Sequence, residues 1–175
     1  GIAMGTSEAA GYINKDGCLN GWLNELAFVP VDFNKDAMVD EWSTDYGCGV
    51  KYFSQDGVIK LAEVAGIELS GSPAEKLKKV QELCVENHPD ALQIFKDIGV
   101  YLGYAIGYYS MYYDIKYLLI LGRVTSGIGG NLIIEYATKV LKELGLMLFL
   151  IGAGVDVYEG MIVGLNSRGE DLAIN

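Results

Sequence analysis

Histidine is almost absent from this chain, proline is scarce and cysteine is sparse, and each shortage removes a class of function. One histidine, His88, and three dispersed cysteines, Cys18, Cys48 and Cys84, with no Cys-x-x-Cys pair, do not make the closed tetrahedron of a structural zinc site, so no zinc is expected. The same few thiols suit a reducing compartment better than a secreted disulfide framework, and a cytoplasmic location is expected. Thirteen basic residues stand against 23 acidic ones, a formal net charge of −10, and the lysines and arginines are scattered. A binder of nucleic acid presents a basic patch that releases counterions, so nucleic acid is excluded as a partner. Long apolar runs are missing too. Residues 98–113 are hemmed by Lys96, Asp97 and Asp114 and broken by tyrosine and glycine, and 145–165 carry Asp156 and Glu159. Neither supplies the roughly 20 apolar residues of a membrane span, and no membrane partner is expected.

What the chain does have is glycine, 23 residues of it, much of it at strand ends. No linker divides the 175 residues, so they form one domain or one lobe of a two-lobed protein. Ile2 to Met4 reads as a buried strand, Ala9 to Ile13 as its antiparallel partner across Gly5-Thr6-Ser7, and Cys18 to Trp22 as a third strand after the turn chemistry of Asn14-Lys15-Asp16-Gly17. Residues 29–47 read as a long irregular excursion over a ligand. A helix is predicted over Gly49 to Ala65, ended by Gly66, and another to about Val85 from the capping box Ser72-Pro73-Ala74-Glu75. Asp90 to Tyr113 is the longest helix, striped by Gly99, Gly103 and Gly107. Each of those glycines costs about 0.5–1 kcal/mol relative to alanine, so the stripe implies close helix packing or, with its tyrosines, a subunit interface of a homodimer. Tyr117 to Leu121 is a continuous apolar strand of the kind covered on both faces. The loop 122–130, a helix from Asn131 to about Leu144 and a strand from Leu146 to Ile151 complete the order.

Two loops carry candidate chemistry. "GTSEAAG" and "GRVTSGIGG" each follow a strand with glycine and hydroxyl side chains, a pattern that aims backbone amides into one concavity fit for phosphate. The second is neither a Gly-x-Gly-x-x-Gly fingerprint nor a P-loop, since no Gly-Lys-Ser/Thr follows.

The run "GTSEAAGYINKDGCLNGWLNELAFVPVDF" resembles the second phosphate loop, hairpin and sugar-binding segment of the ROK (repressor, ORF, kinase) family of glucokinase-like proteins. The resemblance extends over about residues 1 to 144. It implies an α/β fold, a ribonuclease-H-like lobe of the actin-like ATPase type with a mixed sheet that starts in antiparallel hairpins and is flanked by helices. It implies that residues 1–175 are the carboxy-terminal lobe, with an amino-terminal lobe upstream that holds the first phosphate loop and the catalytic aspartate. A chain that starts on glycine at the head of a core strand fits such a processed or trimmed piece. Carried across, Gly5, Thr6 and Ser7 would contact ATP phosphates, and Gly122, Arg123, Val124 and Thr125 would border its adenosine. Asn24 and Glu25 would bind a hexose-type sugar, and Mg would come mainly with the missing lobe. No catalytic residue lies in this chain on that reading.

The departures are specific. Phe28 stands where the family has a sugar-contacting histidine, and Ala27 where it has glycine. The zinc-ligand motif survives only as Gly47-Cys48-Gly49, Arg123 replaces an adenosine-site glycine, and the tail from Leu146 lacks the Ala-rich closing helix. These departures admit two further readings: a non-catalytic sugar-sensing or regulatory lobe, and an α/β interaction domain whose glycines serve only as turns.

Overall fold

The computed structural model describes residues 1–19 and 24–152. A four-stranded mixed sheet runs in the order β2-β1-β3-β4, formed by β1 (Ile2–Met4), β2 (Glu8–Ala10), β3 (Tyr117–Leu121) and β4 (Phe149–Ile151). The β1–β2 pair is antiparallel, whereas β1–β3 and β3–β4 are parallel. Four α-helices accompany it: α1 (Gln55–Val64), α2 (Pro73–Val85), α3 (Pro89–Tyr109) and α4 (Gly127–Glu143). This is the mixed α/β fold, with an antiparallel pair at one edge of the sheet, that the sequence implies.

Local chemistry accounts for several boundaries. The Ser72 hydroxyl accepts from the Glu75 amide and the Glu75 carboxylate accepts from the Ser72 amide at 2.7 Å, the reciprocal box that starts α2. The helix predicted from Gly49 instead splits into a single 3-10 turn, Gly49–Lys51, and α1. Ser54 separates them, because its side chain accepts from the Asp56 amide and resets the helix start. Similarly, α4 begins four residues before the predicted Asn131, and Gly129 and Gly130 lie inside it. A side chain at Gly129 would strike the Phe95 ring and one at Gly130 the Thr125 carbonyl, so only glycine lets the helix start this close.

The first hairpin is shorter than its pattern. The β1–β2 ladder closes where Gly11 donates to the Gly1 carbonyl, and Tyr12 and Ile13 have no β1 residue opposite them. The predicted return strand appears as one bridge, Ile13 to Leu19, closed by Asn14 Oδ1 accepting from the amides of Asp16 and Cys18. Residues 20–22 of that predicted strand lie outside the described residues.

Alternation along the strands divides the sheet into two unlike faces. Ile2, Met4, Leu118 and Ile120 are buried under the helices with Phe53, Phe95, Leu102 and Ile106. Tyr117, Leu119 and Leu121 point the other way, and Tyr117 and Leu121 are exposed. The expectation that β3 is covered on both faces is therefore corrected: among the described residues all the helices pack on one side. The other side floors an open cleft of about 770 Å³ whose lining includes Ala3, Tyr12, Tyr113 and Ile151.

The glycine stripe of α3 meets α4. A Cβ on Gly99 would sit 2.7 Å from the Ile133 carbonyl oxygen, one on Gly103 2.6 Å from Val140 Cβ, and one on Gly107 2.7 Å from Leu144 Cδ1. The stripe is thus spent on close packing within the chain, while Tyr104, Tyr108 and Tyr112 are exposed. No helix among the described residues is long and apolar enough to cross a membrane. Gly103→Val should overpack this contact and destabilise the fold by about 1–3 kcal/mol, lowering the thermal midpoint by several degrees. A melt by far-UV circular dichroism that matches wild type would contradict the close-packed α3–α4 seam.

Candidate functional site

Parallel pairing of β1 with β3 sets the carboxyl ends of two adjacent strands side by side, and each end runs into one of the glycine turns. Such ends are where open α/β sheets hold ligands. Gly122 adopts φ +109° and lies against the Met4 backbone so closely that any Cβ there would collide with it. This contact locks the second turn onto the first.

In the first turn the Gly5 amide donates to the Ser7 carbonyl at 3.0 Å. The amides of Thr6 and Ser7 have no partner among the described residues, and both residues are exposed. Arg123 Nη2 lies 3.5 Å from Thr6 Oγ1, at the outer limit of a hydrogen bond. The two turns therefore offer two unspent neutral amide donors and, close by, a hydroxyl and a guanidinium, donor types suited to phosphate oxygens.

The other members of the second turn are occupied. Val124 is fully buried, and the Thr125 hydroxyl donates to the Gly122 carbonyl at 2.9 Å. Gln81 Nε2 of α2 donates to the Arg123 carbonyl at 2.7 Å. Gly122 and Arg123 are the parts of this turn left open to a ligand. Among the described residues no group of three His, Cys, Asp or Glu side chains could hold a metal ion.

Behind the first turn lies a residue that the sequence pattern leaves unassigned. Glu8 pairs across from Met4, so its side chain enters the helix-covered face, where it is 5 % exposed. Among the described residues both of its carboxylate oxygens lack a hydrogen-bond partner, as does the buried Tyr109 hydroxyl of α3. Burial raises the Glu8 carboxyl to about pH 8, and the tyrosine hydroxyl is pushed up by its own burial and then by Glu8. Gly49 packs directly against this carboxylate and against the Leu26 carbonyl, leaving no room there for a Cβ.

The Leu26 carbonyl belongs to a second 3-10 turn, Leu26–Phe28, with Glu25 at its N-cap. Asn24 precedes it at φ 56° and lines the apolar cleft, whereas Glu25 is exposed. The structure thus places the Glu25 turn beside Glu8, the residue that follows Gly5-Thr6-Ser7, and joins the proposed sugar and phosphate segments through that one buried side chain.

The excursion that follows is irregular but tied down. Tyr52 donates to Asp32 Oδ2 at 2.6 Å and accepts from the Met38 amide, and Lys51 pairs with Glu41 at 2.7 Å and Asp56 at 3.0 Å. Hydrogen bonds from Tyr52 and Asn34 hold the Asp32 carboxyl below its usual range against an opposing desolvation, the largest single influence. These anchors come from the short turn before α1, where the sequence read only the start of a helix. Cys48 and Cys84 are buried free thiols and Cys18 is an exposed one.

No curated protein matches the chain. A family model described as the TypA/BipA C-terminal domain matches residues 122–175, under a third of the length, and its second part lies outside the described residues. Solved structures match far more of it. A ROK hexokinase from Thermus thermophilus superposes with a TM-score of 0.63 at 13% identity, over 85% of this chain and 49% of that one. A ROK family glucokinase from Streptomyces griseus in complex with glucose and AMPPNP gives 0.62 at 19%, over 81% and 49%. A ROK family transcriptional regulator, a homolog of the E. coli MLC protein, gives 0.62 at 18%, over 85% and 40%. The chain spans about half the length of these structures or less. At such identities the likeness is one of fold, and the fold is ROK-like.

The buried carboxylate gives the fold a pH signature. The unfolded Glu8 titrates near 4.5 and the folded one near 8, so between those values the folded state keeps a proton that the unfolded state has released. Its contribution to stability is complete below about pH 4.5 and declines as pH rises to about 8, by on the order of a few kcal/mol at 1.4 kcal/mol per unit. Glu8→Gln should flatten that decline in chemical denaturation run from pH 5 to 8.5. Equal slopes for variant and wild type would show that the carboxyl is solvated.

Proposed function

We propose that residues 1–175 form the carboxy-terminal lobe of a two-lobed, ROK-type sugar kinase that binds a nucleotide and a hexose in concert with an amino-terminal lobe. One observation carries the reading: the Thr6 and Ser7 amides, without a partner among the described residues, and the Arg123 guanidinium, 3.5 Å from the Thr6 hydroxyl, lie at the carboxyl ends of two adjacent parallel strands. Gly5, Thr6 and Ser7 hold nucleotide phosphates, and Gly122 and Arg123 border the base, with Val124 and Thr125 keeping that turn in shape. Glu25 and Asn24 meet the sugar hydroxyls. Support comes from the ROK-like fold and from the glucokinase neighbour, which holds glucose and AMPPNP.

Magnesium-bound ATP would supply the transferable phosphoryl group. The residues of this chain contribute orientation and charge neutralisation, and the carboxylate that takes the proton of the sugar hydroxyl belongs to the other lobe. Phosphoryl transfer asks little else of a protein than positioning and charge compensation, so a lobe with donors and no base remains a coherent half.

Phe28 favours a second reading. An exposed phenyl ring neither donates nor accepts a hydrogen bond where the family places an imidazole, and one neighbour is a transcriptional regulator. A sugar-sensing lobe would bind hexose without turning over ATP.

Thr6→Ala with Arg123→Ala in the full-length protein should weaken ATP about tenfold or more by calorimetry, the loss expected of charge-assisted hydrogen bonds, and leave glucose affinity unchanged. Unaltered ATP affinity would remove the phosphate assignment. Glucose binding with no ATP consumption in the wild type would favour the sensor.

A further inference from the structure

We propose that Phe28 and Trp42 form an aromatic shelf that stacks on the apolar C–H face of a pyranose ring whose hydroxyls Glu25 holds. The inference rests on the sugar reading of Glu25 and adds the feature by which the ring is chosen.

The placement follows from the chain. Glu25 is the N-cap and Phe28 the last residue of the same single 3-10 turn, so the two stand three residues apart and both are exposed. Trp42 reaches Phe28 from the excursion: its ring centroid lies 5.7 Å from that of Phe28, with the planes inclined at 36°. The Glu25 carboxylate makes no hydrogen bond or ion pair among the described residues, so it is available to a ligand.

The indole is 83 % exposed, yet the chain that bears it is held on both sides. Glu41 is bound by the buried Lys51 ammonium at 2.7 Å. Beyond Trp42, the Ser43 amide donates to Asp40 Oδ2 at 2.8 Å and the Thr44 amide to the Asp40 carbonyl at 2.8 Å. A large apolar ring displayed on a pinned backbone wets its surface without gaining the entropy of a mobile loop, which is the arrangement of a preorganised binding group.

Chemistry then selects the occupant. Two exposed aromatic rings inclined at 36°, with an unpartnered carboxylate three residues from one of them, match a molecule that is apolar on one face and rich in hydroxyls at its rim, which is a pyranose in its chair form. An imidazole at position 28 would read a hydroxyl by hydrogen bonding. A phenyl ring reads the shape of the face, so a ring with equatorial hydroxyls is accepted and an open-chain polyol of similar composition is not.

Calorimetry on the full-length protein with D-glucose and D-sorbitol tests this. Wild type should bind glucose and not sorbitol. Trp42→Ala and Phe28→Ala should each weaken glucose about five- to tenfold, the scale of an aromatic contact, and Trp42→Phe should recover most of the loss. ATP affinity should stay at its wild-type value in both, and the melting temperature in Trp42→Ala, whose ring is 83 % exposed. Loss of glucose binding in Glu25→Gln with none in Trp42→Ala would overturn the shelf and leave the sugar site standing. A wild type that binds ATP but no glucose would overturn the sugar reading and the shelf together. A Trp42→Ala protein that changes its sedimentation from dimer to monomer at unaltered glucose affinity would make the shelf a subunit contact, and the proposal would fall.

Discussion

The parallel pairing of β1 with β3 is the constraint from which the site follows. Neither strand's glycine turn is remarkable alone, and a turn of this composition serves most often to reverse the chain. Registering Ile2 against Ile120 and Ala3 against Leu121 brings Gly122 onto the Met4 backbone. Arg123, the next residue, reaches to within 3.5 Å of the Thr6 hydroxyl. A side chain on Gly122 would collide with the Met4 backbone and force the two turns apart. The geometry of the proposed anion site is thus held by a backbone contact between segments far apart in sequence, not by the residues that would touch the anion.

The helices secure that pairing from one side. With Gly99, Gly103 and Gly107 facing Ile133, Val140 and Leu144, α3 and α4 approach closely enough to act as a single slab over Ile2, Met4, Leu118 and Ile120. The cost in helix propensity is small against the apolar area such contact removes from water, since a buried aliphatic side chain contributes about 1.5–3 kcal/mol. The sheet's other face keeps its tyrosine and leucine side chains toward an open cleft. The two faces of one sheet therefore do different work: one holds the strands in register, the other presents apolar surface.

What could be read from the sequence was local, and what could not was relational. The Ser72-Glu75 box and the turn at Gly66 are written in neighbouring residues and came through with their boundaries. The stripe on α3 announces that something packs closely, and its period of four names the face, but nothing in it names α4. Glu8 was invisible because a glutamate after a turn reads as solvent-facing polarity. Only the antiparallel register, which sets it opposite Met4, turns it inward. Lys51 and Tyr52 were read as the start of a helix for the same reason: their partners Glu41, Asp56 and Asp32 lie in a segment with no periodicity to interpret. The two-sided burial of β3 failed because a run of apolar residues specifies that a strand avoids water, not what covers it. At the candidate site, the composition of the turn at Gly5 to Ser7 marked it as a candidate from sequence alone, while the difference between the open Gly122 and Arg123 and the inward Val124 and Thr125 needed coordinates. Val124 and Thr125 face inward for the sake of Gly122 and Arg123.

The net charge of −10 bears on what such a site can accept. A polyanion approaching this surface meets a repulsive field, and one arginine does not reverse it. Backbone amides resolve the conflict because they are neutral: they add hydrogen-bond donors where the anion lands without recruiting a basic patch that would attract every phosphate in solution. Their attraction is short-ranged and angular, so it acts only on an oxygen already in the turn. A ligand that carries its own cation pays less of the long-range repulsion and still presents its terminal oxygens to Thr6 and Ser7. On the proposed reading, an acidic chain with amide donors would discriminate in favour of a metal-complexed phosphate chain over a bare one, which is the form that the proposed kinase chemistry requires.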